Sequence, residues 1–232
     1  MSQALDPAQG GMPAASLTVV TDFDGTVTER DTLDLVVERF GDPAVRRATE
    51  AELEKGALTL NQVIARQYAT LRASLDEVVG WLLEHSAFRP GFPGLASLAT
   101  QRGWRLRIVS SGVEELIAPM LAREGLEHLP VMANSLAAEP PPWRIAFRSE
   151  ERCEVCGEAC KRPSVTELAA GSRLVYIGDG FSDACAAEGA HLVFARRRLA
   201  THLEGRGHEF QPFDDFLTIV ERLSGSTAEL PA

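Results

Sequence analysis

The stretch SLTVVTDFDGT, Ser16 to Thr26, decides the fold. Its first six residues are a short β-branched, largely apolar run, which reads as a buried strand. The run breaks at Asp22-Phe23-Asp24-Gly25-Thr26, where two carboxylates stand two residues apart. At a strand end that spacing aims both acids into one pocket while Phe23 packs away. By itself Asp-x-Asp-Gly is equally well a turn, so the rest of the chain has to carry the case.

Three further segments repeat the pattern. Arg105 to Val109 ends at Ser110-Ser111-Gly112, Arg173 to Ile177 ends at Gly178-Asp179-Gly180, and His191 to Ala195 is a fourth strand. Val131 to Asn134 is another candidate. Helical patterns lie between them: Val113 to Glu124, which Pro119 should kink or cut, Val165 to Ala170, and Ser182 to Glu188. Alternating strands and helices predict an α/β fold, a Rossmann-like parallel sheet flanked by helices. Ligands of such sheets sit beyond the carboxyl ends of the strands, where these strands present Asp or Ser.

The stretch from Arg30 to Arg89 differs in kind. Amphipathic helical pieces occupy Thr32 to Phe40, Val45 to Lys55, Leu60 to Leu71 and Leu75 to Ser86, with no strand pattern among them. This predicts an inserted α-helical cap domain over residues 30–89, with Pro90 to Gly94 as the return hinge. The core domain is then 16–29 together with 90–223. Residues 1–15 read as a flexible leader and 224–232 as a flexible tail.

Composition bounds the function. Thirty-three acidic residues against 23 basic give a net charge of −10, which argues against nucleic acid as a partner. No apolar run reaches the ~20 residues that span a bilayer, and the first fifteen residues lack the basic start of a signal peptide. The expectation is no membrane association, a cytoplasmic location, and a monomer or homodimer.

Chemistry collects at the strand ends. Asp22, Asp24 and Asp179 are oxygen donors suited to Mg²⁺, which a carboxylate nucleophile needs when it attacks an anionic phosphate. Ser110, with Ser111 and Gly112 beside it, offers a hydroxyl and backbone N–H groups for phosphate oxygens. Ser110 is also suited to cap the following helix. Lys161, just before a helix, could neutralise phosphate and carboxylate together.

In order and context, Asp22-Phe23-Asp24-Gly25-Thr26, Ser110, Lys161 and Gly178-Asp179-Gly180-x-x-Asp183 resemble the four motifs of the haloacid dehalogenase superfamily. The likeness runs from about Thr18 to Phe194. It implies a phosphatase, a phosphoric monoester hydrolase that forms an aspartyl-phosphate on Asp22. Asp24 would protonate the leaving alkoxide and then activate water; dehalogenases of the superfamily lack that second acid. Ser110, Ser111, Gly112 and Lys161 would hold the phosphoryl group. Asp22, the backbone carbonyl of Asp24 and Asp179 would ligate Mg²⁺, with Asp183 either ligating or orienting Lys161. A phosphotransferase or mutase would share the intermediate. A catalytically silent binding protein would need a broken motif, and each of these residues is present.

The helical insert resembles the cap of the phosphoserine-phosphatase-like branch. Within that branch, Cys160-Lys161-x-Pro163-Ser164-Val165, Ile177-Gly178-Asp179 through Ala187, and Phe194-Ala195-Arg196 are most similar to the methionine-salvage phosphatases acting on 2-hydroxy-3-keto-5-methylthiopentenyl-1-phosphate. Arg162 is an extra residue in that run. Phosphoserine phosphatases compete, with Asp31 near their acidic cap position. Gln67 stands where their arginine belongs, and Arg66 faces about 100° away on an ideal helix. Phosphoethanolamine/phosphocholine phosphatases share the Cys-rich approach to the lysine. In each reading the partner is a small phosphorylated metabolite.

Cys153, Cys156 and Cys160 follow a C-x₂-C-x₃-C spacing. Thiolates so placed bind zinc, but a structural site usually takes four ligands, and only Cys185, distant in sequence, could join them. The expectation is ordinary reduced thiols, with zinc as the alternative. In Arg196-Arg197-Arg198 a solvated surface run is expected, with Arg196 best placed to approach the site.

Overall fold

A computed structural model describes residues 17–138, 141–149 and 151–225. The leader, Ser16 and the tail beyond Gly225 lie outside the described residues. The chain runs β1 (Leu17–Thr21), α1 (Thr32–Phe40), α2 (Pro43–Glu54), α3 (Leu60–Tyr68), α4 (Leu75–His85), α5 (Phe92–Arg102), β2 (Arg105–Val113) and α6 (Glu114–Arg123). It continues β3 (Val131–Ala137), β4 (Arg144–Ala146), α7 (Arg162–Leu168), β5 (Arg173–Gly178), a 3₁₀ turn (Phe181–Asp183), α8 (Ala184–Ala187), β6 (Leu192–Ala195), α9 (Arg197–Gly205), β7 (Gln211–Pro212) and α10 (Phe216–Gly225).

The strands form one sheet in the order β4-β3-β2-β1-β5-β6-β7, parallel except for β4, which runs antiparallel to β3. The first strand is therefore central. Thr21 pairs with Ile108 of β2 on one side and Ile177 of β5 on the other. All five residues of β1 are buried, as expected for a strand covered on both faces. The chain leaves β1 toward opposite neighbours, and this switch point opens the crevice where α/β sheets bind ligands.

Side-chain caps set the boundaries of the four helices between β1 and α5. Asp31 accepts from the Asp34 amide, Asp42 from those of Ala44 and Val45, and Ser74 from that of Glu77. Thr59 and Gln62 form a reciprocal capping box. Leu35, Val36, Ile64, Leu71, Val78 and Leu82 join the same apolar cluster as Val19 and Phe23, each contributing about 1.5–3 kcal/mol by burial. Trp143, beside β4, is fully buried and donates its indole N–H to the Ala73 carbonyl at 2.9 Å. The helices are thus packed on the core from two sides.

The segments that flank these four helices run side by side. The Glu29 amide donates to Ala87 O at 3.0 Å, the Arg89 amide donates to Val27 O at 2.7 Å, and Thr28 and Phe88 form an antiparallel bridge. The buried Arg89 guanidinium donates to the carbonyls of Gly25, Thr26, Thr28, Glu29 and Asp214.

Several boundaries differ from the sequence reading. The Pro90–Gly94 hinge is also the start of a helix, α5, because Pro93 in a first turn loses no helical bond. The second strand continues through Ser110-Ser111-Gly112 to Val113. Helix α6 continues past Pro119; buried Leu116, Ile117, Met120 and Leu121 anchor it on both sides of the missing amide. Residues 182–188 divide into the 3₁₀ turn and α8. No helix among the described residues is long and apolar enough to cross a membrane.

Candidate active site

Asp22 follows β1 directly, its backbone amide held by Ile177 O at 2.9 Å. Asp24 lies two residues on, across the turn, and Asp179 follows β5. In β2 the register slips against β3 between Val109 and Val113, a bulge at Ser110–Gly112. Bulges re-aim side chains next to functional sites, and this one turns Ser110 onto Asp24. Asn134 supports it, donating to Ser111 O at 2.7 Å.

Two hydroxyls grip Asp24, one of them backed by a backbone amide. Ser110 Oγ donates to Asp24 Oδ2 at 2.8 Å, and the Gly112 amide donates to Ser110 Oγ at 2.7 Å. Thr32, the first residue of α1, donates to Asp24 Oδ1. Gly112 is required here, since a Cβ at that position would collide with Asp24 Oδ2. Gly25, at φ 79°, brings the turn against Asp179; its Cβ would sit 2.8 Å from Asp179 Oδ2.

Lys161, from the start of α7, reaches the same place. Its Nζ lies 2.5 Å from Asp22 Oδ1 and 2.7 Å from Asp183 Oδ1. Asp183 is saturated: Oδ1 also accepts from Tyr176 OH at 2.8 Å, and Oδ2 accepts the amides of Asp179 and Gly180. By contrast, among the described residues Asp22 Oδ2 has only a long 3.5 Å contact with Thr26 Oγ1. Asp179 Oδ1 accepts from Thr26 at 2.9 Å, while Oδ2 faces Arg197 at 3.7 Å. Of the basic run, it is Arg197 that approaches the site. Arg196, expected to do so, instead lays its guanidinium over the Phe213 ring.

The electrostatics are those of a crowded anionic pocket. Burial raises the Asp22 carboxyl well above the usual range, and Asp183 adds to the rise while Lys161 opposes it. Burial also raises Asp179, helped by the Asp183 charge, and raises Asp24 against the hydrogen bonds of Thr32 and Ser110. Oxygens of Asp22, Asp179 and Asp183 lie within 4.8 Å of one another. Three carboxylates facing one ammonium, with open lone pairs on Asp22 and Asp179, form a donor set that fits a hard divalent cation.

Each sequence-predicted residue therefore lies at this one crevice: Asp22, Asp24, Ser110, Ser111, Gly112, Lys161, Asp179 and Asp183. Thr32, Tyr68, Arg89 and Tyr176 escape the sequence reading. Thr26 enters it only as the last residue of the first motif, and Arg197 only as part of a basic run expected to be solvated surface. The buried Tyr68 hydroxyl has no hydrogen-bond partner among the described residues, and it lies close enough to Asp24 and Asp31 to feel their charges.

Comparison with known proteins supplies the context. A family model described as haloacid dehalogenase-like hydrolase matches residues 19–188. The chain is 28% identical to a Brevibacillus brevis protein named 2-hydroxy-3-keto-5-methylthiopentenyl-1-phosphate phosphatase, covering 89% of this chain and 96% of the relative. It is 27% identical to Pdp3-interacting factor 1 of Schizosaccharomyces pombe, covering 89% and 94%. Among solved structures, a substrate-bound phosphoserine phosphatase complex superposes with a TM-score of 0.69 at 19% identity, covering 90% of this chain and 99% of that one. A phospho-aspartyl intermediate analogue of phosphoserine phosphatase gives 0.67 at 19% identity, covering 91% and 99%.

Proposed function

Because the chain belongs to the haloacid dehalogenase-like hydrolase family and is a phosphoric monoester hydrolase, we propose that it cleaves a small phosphorylated metabolite through a covalent phosphate on Asp22. The observation that carries this reading is the buried triad of Lys161 between Asp22 and Asp183, with Asp24 held apart on Ser110 and Thr32.

The roles follow from the contacts. Lys161 fixes Asp22 Oδ1, leaving Oδ2 as the oxygen free to attack. A bond forms between that oxygen and phosphorus while the bond from phosphorus to the substrate oxygen breaks. Asp24, kept protonatable by burial, gives its proton to the departing alkoxide, which leaves as the alcohol. The Asp24 carboxylate then takes a proton from water, whose oxygen attacks phosphorus. The bond from phosphorus to Asp22 breaks, and inorganic phosphate is released with Asp22 restored. Ser110, Ser111, Gly112 and Lys161 line the phosphate side of the crevice, and Ser110 also orients Asp24. Mg²⁺ held by Asp22, Asp179 and the Asp24 carbonyl would offset the repulsion between carboxylate and phosphate. Asp183, with all its contacts filled, serves Lys161.

Residues 30–89 act in this reading as a cap domain over a core of 16–29 and 90–223. The direct reach of Thr32 to Asp24 supports that role, since closure of a lid excludes water from a reactive intermediate.

For the substrate, we favour a 2-hydroxy-3-keto-5-methylthiopentenyl-1-phosphate-type enol phosphate, the compound in the name of the Brevibacillus brevis relative. Phosphoserine is the second reading, favoured by the half-buried Asp31 beside Asp24. Against it, Gln67 is tied to Thr49 at 3.0 Å and exposed Arg66 to Glu52 at 3.0 Å, so neither presents a cation to a substrate carboxylate. The test is a panel of phosphate monoesters with Mg²⁺, including the enol phosphate, phosphoserine, phosphoethanolamine and pyridoxal phosphate. The expected result is a kcat/KM for the enol phosphate at least ~10-fold above the rest. Preference for phosphoserine overturns the substrate choice, and no hydrolysis of any member overturns the activity.

A further inference from the structure

Away from the carboxylates, the fold gathers all four cysteines of the chain. Cys153, Cys156 and Cys160 come from the loop before α7, and Cys185 comes from α8. Their sulfurs lie within 4.8 Å of one another, and Cys153 Sγ is 3.8 Å from Cys185 Sγ. A zinc tetrahedron with bonds of about 2.3 Å has sulfur–sulfur edges of about 3.8 Å. The same distance is far beyond a disulfide bond of about 2.05 Å.

The loop is shaped around the first sulfur. The Val155 amide donates to Cys153 Sγ at 3.4 Å, the Gly157 amide to Cys153 O at 2.8 Å, and the Cys153 amide to Glu158 O at 2.9 Å. Gly157, at φ 75°, makes this turn possible. Positive charge is also at hand. Arg162 donates to Cys185 O at 2.8 Å, and the guanidinium of Arg148, whose buried Nε has no hydrogen-bond partner among the described residues, lies close enough to Cys160 to feel its charge.

We propose that Cys153, Cys156, Cys160 and Cys185 bind one zinc ion as a structural tetrathiolate site. Cys160 immediately precedes Lys161, and Cys185 lies two residues beyond Asp183. The ion therefore fastens the two backbone segments that carry the buried Lys161–Asp183 pair. It is a closed site with no open position for substrate, and it is distinct from the divalent cation of the carboxylate pocket.

The test uses the full chain, purified from zinc-supplemented cells without chelators and dialysed in excess Mg²⁺. Elemental analysis should find about one zinc per chain, released by a mercurial thiol reagent. Cobalt exchanged into the protein should show thiolate-to-cobalt charge-transfer absorption and tetrahedral d–d bands, which carboxylate ligands cannot produce. Cys156→Ser, at the exposed corner, should lose both signals. A zinc-selective chelator should lower the Tm of the native chain by roughly 5–10 °C and leave Cys156→Ser unmoved. Overturning results are a native protein without zinc or the charge-transfer band, or a Cys156→Ser/Cys185→Ser variant that holds zinc as the native chain does.

Discussion

Lys161 Nζ lies 2.7 Å from Asp183 Oδ1, and both side chains are sealed from solvent, at 1% and 0% exposure. Burial alone would push the lysine down, yet Asp183 and Asp22 hold its ammonium above the ordinary range. Asp183→Asn leaves Lys161 paired with Asp22 alone and removes a charged acceptor from Lys161, Tyr176 and two backbone amides, a loss of about 1.5–3 kcal/mol. It should lower Tm by roughly 3–12 °C in thermal unfolding. A change of only a degree or two would mean that the pair does not anchor the lysine.

Asp22→Asn should reduce kcat by at least ~10⁴-fold. Its far-UV circular dichroism should match the native spectrum, because the side chain keeps its size and one of its oxygens. Incubation with labelled substrate should leave no protein-bound phosphate. Turnover that survives in this variant would remove the covalent step.

Asp24→Asn tests the leaving-group proton. Loss of a general acid typically costs ~10²–10⁴-fold in rate. That loss should appear with alkyl phosphates and shrink with p-nitrophenyl phosphate, whose leaving group needs little protonation. Equal losses on both substrates would argue for a positioning role.

Chelation should abolish activity, and Mg²⁺ should restore it. At about a hundred times its dissociation constant the ion should add ~2.7 kcal/mol of stability, seen as an upward shift in Tm. Asp179→Asn should lose that shift. Should Mg²⁺ stabilise Asp179→Asn as much as the native chain, Asp179 is no ligand.

The Asp31 carboxyl is pushed up to about 8 by burial and by the charges of Asp24 and Asp34. Between the ordinary carboxylate range and pH 8 the folded chain then binds more protons than the unfolded one, so stability falls as pH rises through that window. Asp31→Asn keeps a helix-capping oxygen and never ionises. Its stability advantage over the native chain should widen from pH 5 to pH 9 by about 1–2 kcal/mol, a figure reduced for the screening of a half-buried group. Parallel denaturation curves at the two pH values would count against it.

The frame of the proposed site is legible in the chain because Asp22, Asp24, Ser110, Lys161 and Asp179 each belong to a short local pattern. A β-branched run ending in Asp22 and Asp24 announces both a strand and its functional end. The amphipathic pieces between Thr32 and Ser86 announce four helices, whose starts fall within a few residues of the caps Asp31, Asp42, Thr59 and Ser74. Helix α10 goes unread, although Phe216, Ile219 and Leu223 recur at helical spacing. With three and two residues, β4 and β7 are too short to show any period. The bulge at Ser110–Gly112 imitates a turn in sequence, so β2 reads there as ending at Val109. Thr32 on Asp24 and Cys185 beside Cys153 are products of tertiary packing, and no spacing along the chain encodes them. In the case of Cys185, the missing fourth thiol arrives from 25 residues beyond Cys160.

The paired segments 27–29 and 87–89, clasped by Arg89, give the helical block a single stalk. A module joined to its host by two adjacent threads can be exchanged whole, like a graft on one cut stem. If these helices are the cap proposed above, evolution can rewrite them beyond Thr32, which must keep its bond to Asp24, and so change the molecules admitted. Arg89 sets the limit of that freedom. It binds the stalk to the turn that follows Asp22 and Asp24, so a badly seated graft would be felt at once at the proposed site.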